Sequence, residues 1–145
     1  MSNWFECVIQ YETQHEKTGK ITKVKETYLV DAMSFTEAEA RIQEKLKHYA
    51  DMGFVIKQLK PVKFEDIYDN SEDDQWYKCK IVYTDVIDGK EKKNSSFSLI
   101  KSTCTETACA DLTVKLKDSM IPWVIGEIKE YTLFDYFPYI EYSKM

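Results

Sequence analysis

Trp4-Phe5-Glu6-Cys7-Val8-Ile9-Gln10-Tyr11 and Trp76-Tyr77-Lys78-Cys79-Lys80-Ile81-Val82-Tyr83 are the two stretches on which the fold turns. An indole opens each, and an aromatic residue, a cysteine, an isoleucine and a tyrosine then occupy the same places. The correspondence continues in order along the chain. Thr27-Tyr28-Leu29-Val30 answers Phe97-Ser98-Leu99-Ile100; Ala38, Ile42 and Leu46 answer Ala108, Leu112 and Leu116; Phe54-Val55-Ile56 answers Trp123-Val124-Ile125. Phe64-Glu65-Asp66-Ile67-Tyr68 closes the first series and Leu133-Phe134-Asp135-Tyr136-Phe137 the second. So many matches in one order predict a tandem duplication, with repeat one at 3–69 and repeat two at 75–139. The acidic stretch Asp69-Asn70-Ser71-Glu72-Asp73-Asp74 links them within a single domain.

Inside each repeat the patterning gives a β-β-α-β order. Alternation in the opening stretch divides its side chains between two faces of a strand. Phe5, Cys7, Ile9 and Tyr11, with Tyr77, Cys79, Ile81 and Tyr83, are expected to face the core. The opposite faces carry Trp4, Glu6, Val8 and Gln10, and Trp76, Lys78, Lys80 and Val82; these are expected to meet solvent or a partner. Turns at Lys17-Thr18-Gly19-Lys20 and Asp88-Gly89-Lys90 lead into second strands, Asp-Gly being a strong hairpin signal because both residues tolerate positive φ. Ser34-Phe35-Thr36-Glu37 reads as a helix start. Phe35, Ala38, Ile42, Leu46 and Tyr49 form an apolar stripe, as do Cys104, Ala108, Leu112, Leu116 and Met120, and Gly53 and Pro122 are expected to end the two helices. Third strands follow at about 54–60 and 123–130. The fold class expected is α+β: antiparallel sheets, one helix per repeat packed on its sheet, and a pseudo-twofold relation between the repeats.

With 145 residues, 43% hydrophobic and 14% aromatic, the chain has the composition of a packed globular protein. A net charge of −5 gives no general attraction for duplex DNA or anionic membrane. The start Met1-Ser2-Asn3-Trp4-Phe5-Glu6 is unlike a secretion signal, and no apolar run approaches the length of a bilayer span. The location expected is cytoplasmic. Cys7, Cys79, Cys104 and Cys109 form no Cys-x-x-Cys pair, and His15 and His48 lie away from them in sequence, so no metal site is expected and all four thiols are read as buried and structural. With no phosphate-binding glycine loop and no nucleophile–base constellation, neither a cofactor nor a catalytic residue is assigned, and the expectation is a non-enzyme. Asp66 and Asp135 hold matching places beside aromatic residues; a turn or cap role is favoured over a functional carboxylate pair.

Single-stranded nucleic acid needs π-faces for its bases and cations for its backbone. Trp4, Trp76, Lys78 and Lys80 fit that description if they project from the sheet, and Lys90, Lys92 and Lys93 add a basic cluster on the second hairpin. The preferred expectation is therefore a binding module for single-stranded nucleic acid. Its rival is a protein-interaction role, which the acidic balance favours, and homodimer formation is a further expectation. The bland alternatives are that each indole packs over a sheet edge and that the lysines solvate one.

Asn3-Trp4-Phe5-Glu6-Cys7, Tyr28-Leu29-Val30-Asp31-Ala32, the helix start from Ser34 to Ile42, Trp76-Tyr77-Lys78-Cys79-Lys80 and Asp135-Tyr136-Phe137-Pro138-Tyr139 together resemble a domain-of-unknown-function family of Bacteroides-group bacteria and their phages. That resemblance implies a bacterial host-cell setting, with an accessory or anti-defence protein that binds a host protein as one form of the rival role. It brings no activity with it. Reading the middle of the chain as four strands and a helix, 54–60, 64–68, 76–84, 92–101 and then 105–120, is similar at the level of fold to the PUR and Whirly single-stranded nucleic-acid binders.

Overall fold

The structure, a computed structural model, describes residues 3–48, 53–69, 72 and 75–138. In chain order the elements are β1 (Asn3–Gln14), β2 (Ile21–Ala32), α1 (Phe35–Leu46), β3 (Val55–Val62), β4 (Ile67–Tyr68), β5 (Gln75–Ile87), β6 (Lys90–Ser102), α2 (Thr105–Leu116), β7 (Trp123–Tyr131) and β8 (Asp135–Phe137). The class is mixed α+β, with two helices and two four-stranded sheets among the described residues. Two compact units result. The first comprises the residues up to Val62 together with those from Leu133 onward, and the second is Lys63–Thr132.

In the first unit the strand order is β3-β1-β2-β8. The alternation of β1 works as expected: Phe5, Cys7 and Ile9 are buried on one face, where Ala38, Ile42 and Leu46 of α1 meet them together with Tyr28, Val30 and Ala32 of β2. Ser34 caps α1, its Oγ accepting from the Glu37 amide at 3.1 Å, while Glu37 Oε1 accepts from the Met33 amide at 3.1 Å. One orphan amide of the first turn and the amide just ahead of the cap are thus satisfied, a cap of this kind stabilising by about 1 kcal/mol.

The second unit has the order β7-β5-β6-β4, again with the hairpin in the middle and a short strand at one edge. Tyr77, Cys79 and Ile81 meet Ala108, Leu112 and Leu116 of α2. The β5–β6 hairpin turns through Asp88 at φ 54° and Gly89 at φ 77°, the left-handed pair that the Asp-Gly signal predicts.

Four expectations need correction. The sheets are not antiparallel throughout, because β8 runs parallel to β2 and β4 parallel to β6. A tight hairpin imposes antiparallel direction on the strands it joins, and β4 and β8 reach their partners by other routes. Nor do the compact units follow the segments 3–69 and 75–139: the run from Lys63 belongs with the second unit and the run from Leu133 with the first. Both helices stop early, at Leu46 and Leu116, with Lys47 and Lys117 at their C-caps, so Gly53 and Pro122 lie well beyond them. Finally, the apolar stripes are shorter than expected. Phe35 is 53% exposed, although its ring meets Phe5 edge-on at 5.0 Å, and Met120 is 96% exposed beyond the end of α2. Tyr49 lies outside the described residues, as do Tyr139 and four of the linker positions, Asn70, Ser71, Asp73 and Asp74.

Burial also sets an alkaline limit on stability. Tyr68 is pushed up from an ordinary value of 10.0 to about 12, first by burial and then by the Asp66 carboxylate that its hydroxyl meets at 3.2 Å. Burial is likewise the first cause that pushes the Cys7 and Cys79 thiols up from 9.0 to about 11. Each group is neutral when protonated and holds its proton more tightly in the folded state. Its contribution is therefore complete below the ordinary pKa and is lost as pH rises through the folded one. Stability is expected to be flat near neutrality and to fall between pH 9 and about 12. Denaturant melts at stepped pH check this, and an unchanged midpoint across that window would refute it.

Candidate functional site

In the second unit the face of β5 turned away from α2 carries Trp76, Lys78, Lys80 and Val82. At one end of that face Trp76 is only 4% exposed. Its cross-strand neighbours are Lys101 and Tyr131, and the Lys101 ammonium lies 5.5 Å from the indole centroid while also pairing with Asp69 at 3.4 Å. Lys78 is drawn into the same cluster, with Nζ 4.8 Å from the Phe97 ring and 5.8 Å from that of Phe64. Phe64, buried itself, meets Tyr131 edge-on at 5.7 Å. The segment leading into β4 holds Phe64 there through backbone bonds: the Glu65 amide donates to the Phe97 carbonyl at 2.8 Å, and the Leu99 amide to the Asp66 carbonyl at 3.0 Å. The cations stand over ring faces, an arrangement attractive by cation–π electrostatics.

These positions change the reading of the expected contact residues. Trp76, which would have to project from the sheet to meet a ligand, is covered. Lys78 is occupied by two phenylalanine rings. Lys80 is half-buried opposite Glu127, while Lys90, Lys92 and Lys93 are exposed on β6 with Glu91 between them and Asp85 opposite Lys92. That hairpin is of mixed sign. Trp4 belongs to the first unit, half-buried, with its ring 6.3 Å from that of Tyr136 in a T-shaped contact. Beside it Glu6 pairs with Lys60 at 3.7 Å.

Farther along the same face of the second unit, two exposed valines stand beside half-buried Val82 and Thr84. Val82 pairs across the ladder with Val124, and Val86 follows on the same side of β5. Val86 is 64% and Val124 61% exposed. Gly126 keeps this surface low, since a Cβ there would stand 3.2 Å from Val82 Cγ2. Neither Val86 nor Val124 was singled out from the sequence, although Val86 continues the alternation that carries Val82.

The two aspartates act locally. Asp66 accepts from the Tyr68 hydroxyl, and Asp135 Oδ1 accepts from the Tyr136 amide at 2.8 Å. His15 Nδ1 accepts from the Lys17 amide at 3.3 Å in an exposed turn, and His48 is exposed. A groove of about 280 Å³ in the first unit is lined by Gln10, Tyr11, Glu12, Gly53, Phe54 and Val55. Its Tyr11 hydroxyl already donates to Glu26 at 3.0 Å. Among the described residues no three His, Cys, Asp or Glu are grouped to hold a metal ion, and no helix is long and apolar enough to cross a membrane.

A family model for a domain of unknown function, DUF4494, matches residues 3–139. The chain belongs to the DUF4494 family. No match was found among curated proteins. The likeness to PUR and Whirly repeats requires strands 54–60, 64–68, 76–84 and 92–101 to share one sheet, whereas in this DUF4494 chain β3 pairs with β1 and only β4 joins β5 and β6.

The thiols of the DUF4494 chain fall into two classes, correcting the expectation that all four are buried. Cys7 and Cys79 are fully buried in the sheet–helix cores, but Cys104 is exposed at the N-cap of α2 and Cys109 is half-buried. A 2.9 Å contact between Cys104 Sγ and the Thr107 hydroxyl leads the causes that lower the Cys104 pKa below its ordinary value. The thiolate is the reactive form, so iodoacetamide at neutral pH is expected to label Cys104 first and Cys7 and Cys79 only on unfolding. Mass mapping of a time course checks the order; early labelling of Cys79 would contradict it.

Proposed function

We propose that this chain is a non-enzymatic binding module whose partner is a protein rather than single-stranded nucleic acid. The observation that carries the reading is the covered state of Trp76, with Lys78 committed to two rings beside it. An indole without a free face cannot stack a base, and a lysine held over Phe97 is poorly placed to track a phosphate backbone. What the same sheet offers instead is a partly open patch, exposed Val86 and Val124 beside half-buried Val82 and Thr84, near charged side chains of both signs, Lys80, Lys93, Glu91 and Glu127. An apolar centre with a mixed polar rim is the anatomy of a protein interface.

The finer architectural reading also belongs here. We infer that the two units descend from a duplicated β-β-α-β element, each lending its closing strand to the other. The ordered residue matches and the corresponding spatial order of the strands support this. The partner sought first is a host protein in the cytoplasm of a Bacteroides-group cell, including one infected by phage, the setting that the sequence resemblance implies.

Capture from such a lysate with the full chain as bait is expected to enrich one protein, and Val86→Asp with Val124→Asp is expected to reduce that capture by about tenfold or more while the melting curve stays unchanged. A fluorescent single-stranded oligonucleotide at low salt is expected to show no change in polarisation. Salt-sensitive binding that disappears with Lys80→Ala, Lys92→Ala and Lys93→Ala would overturn the proposal and restore the nucleic-acid reading.

A further inference from the structure

The groove that receives β8 is built from side chains as well as backbone. β8 runs along β2 with Tyr28 opposite Asp135, Leu29 opposite Tyr136 and Val30 opposite Phe137. The Phe137 ring stacks on Tyr28 at 5.7 Å with 12° between the planes, and the Lys45 ammonium stands 5.7 Å from the same ring. Arg41 donates to the Pro138 carbonyl at 3.1 Å and also to the Asp31 carbonyl, while the Phe134 amide donates to the Thr27 carbonyl at 2.8 Å. The groove on β6 treats Glu65–Tyr68 alike: its amide donates to Phe97, and Lys115 stands 5.3 Å from the Tyr68 ring. One segment type thus meets one type of groove twice.

In both places the segment that fills the groove comes from the chain that has just left the other unit's sheet. β8 follows β7 of the second unit after only Thr132, Leu133 and Phe134, yet completes the sheet of the first. Its hold is local to the groove: three paired residues and the side-chain contacts given above. β4 is tied into the chain on both sides, between β3 and β5, whereas β8 is the last of the described strands.

We propose that β8 is an exchangeable strand, and that its groove on β2 accepts the Leu133–Pro138 segment of a second copy of this chain, giving a strand-exchanged dimer. The inference stands apart from the protein partner proposed above, since it needs only this sequence. A second copy brings the same residues, so every contact in the groove is remade after exchange. The balance between closed monomer and exchanged dimer then rests on the 132–134 link and on concentration rather than on new contacts. Weakening the groove has a distinctive consequence. Phe137→Ala lowers the hold on β8 equally in both forms, so it speeds their interchange without shifting the proportion of dimer.

The experiment refolds the full-length chain from denaturant over a range from about ten micromolar to about one millimolar and measures mass by light scattering. The expected result is a dimer fraction that rises with concentration. Mixing isotopically labelled and unlabelled dimer is expected to give mixed dimer, with Phe137→Ala raising the interchange rate roughly tenfold or more, a factor of ten corresponding to about 1.4 kcal/mol. In a Cys104→Ser, Cys109→Ser background, Leu29→Cys chains refolded with Tyr136→Cys chains are expected to form a disulfide between copies, because these two positions pair across β2 and β8. Monomer mass at every concentration overturns the proposal without any variant. So does an interchange rate that Phe137→Ala leaves unchanged. A Leu29→Cys, Tyr136→Cys double variant that closes its own disulfide while the mixed single variants never join overturns it as well.

Discussion

Tyr28→Ala is expected to lower the free energy of unfolding by about 4 kcal/mol, the scale of a large buried aromatic truncation. Tyr28 is 1% exposed. Its ring is stacked on Phe137 and lies 5.4 Å from that of Phe134, so truncation opens a void and removes the surface against which β8 packs. Its hydroxyl donates to Glu26 Oε1 at 2.9 Å, and the other oxygen of that carboxylate takes the Tyr11 hydroxyl at 3.0 Å. Tyr28→Phe separates the two contributions. It keeps the ring and removes one charge-assisted hydrogen bond, for an expected loss of about 2 kcal/mol. Denaturant melts give both numbers, and hydrogen exchange over residues 134–138 is expected to accelerate in Tyr28→Ala and to change little in Tyr28→Phe. Equal destabilisation by the two variants would show that the ring does not hold the strand.

Trp76→Ala is expected to cost about 3 kcal/mol, with no effect on any oligonucleotide affinity. The indole is buried between Lys101 and Tyr131 on the ladder, and nothing smaller fills that end of the sheet. Trp76→Phe is expected to recover part of the loss because it retains a ring face for the Lys101 ammonium. The comparison with Trp4→Ala is informative: Trp4 is half-buried with an edge contact to Tyr136, so its truncation is expected to cost about 1 kcal/mol. A stable, folded Trp76→Ala protein that has lost binding to a ligand would place the indole in recognition after all.

The two tryptophans illustrate how far the residues could be read on their own. Alternation placed Cys7 and Cys79 on the helix side of their strands, and there they lie. The same alternation put Trp4 and Trp76 together on the opposite side and left their exposure open, because a period of two assigns a face and says nothing of what covers it. Phe64 and Tyr131, distant in sequence from Trp76, share that covered end of the sheet. Cys104 fails for another reason. It stands at the position that would extend the stripe of α2 by one turn, but the helix begins at Thr105, and a residue at an N-cap does not face the core that the following turns bury.

The amino-acid sequence by itself determined the long strands, the hairpins and the middle of the buried stripe of each helix, since these follow from local periodicity and from residues such as Asp88 and Gly89 whose own backbone preferences shape a turn. Only the tertiary structure decided that β4 and β8 close sheets other than those they follow, that their pairing is parallel, and that Trp76 is buried. A two- or three-residue strand carries too little pattern to name its neighbour, and the burial of a large side chain depends on groups that arrive from remote parts of the chain.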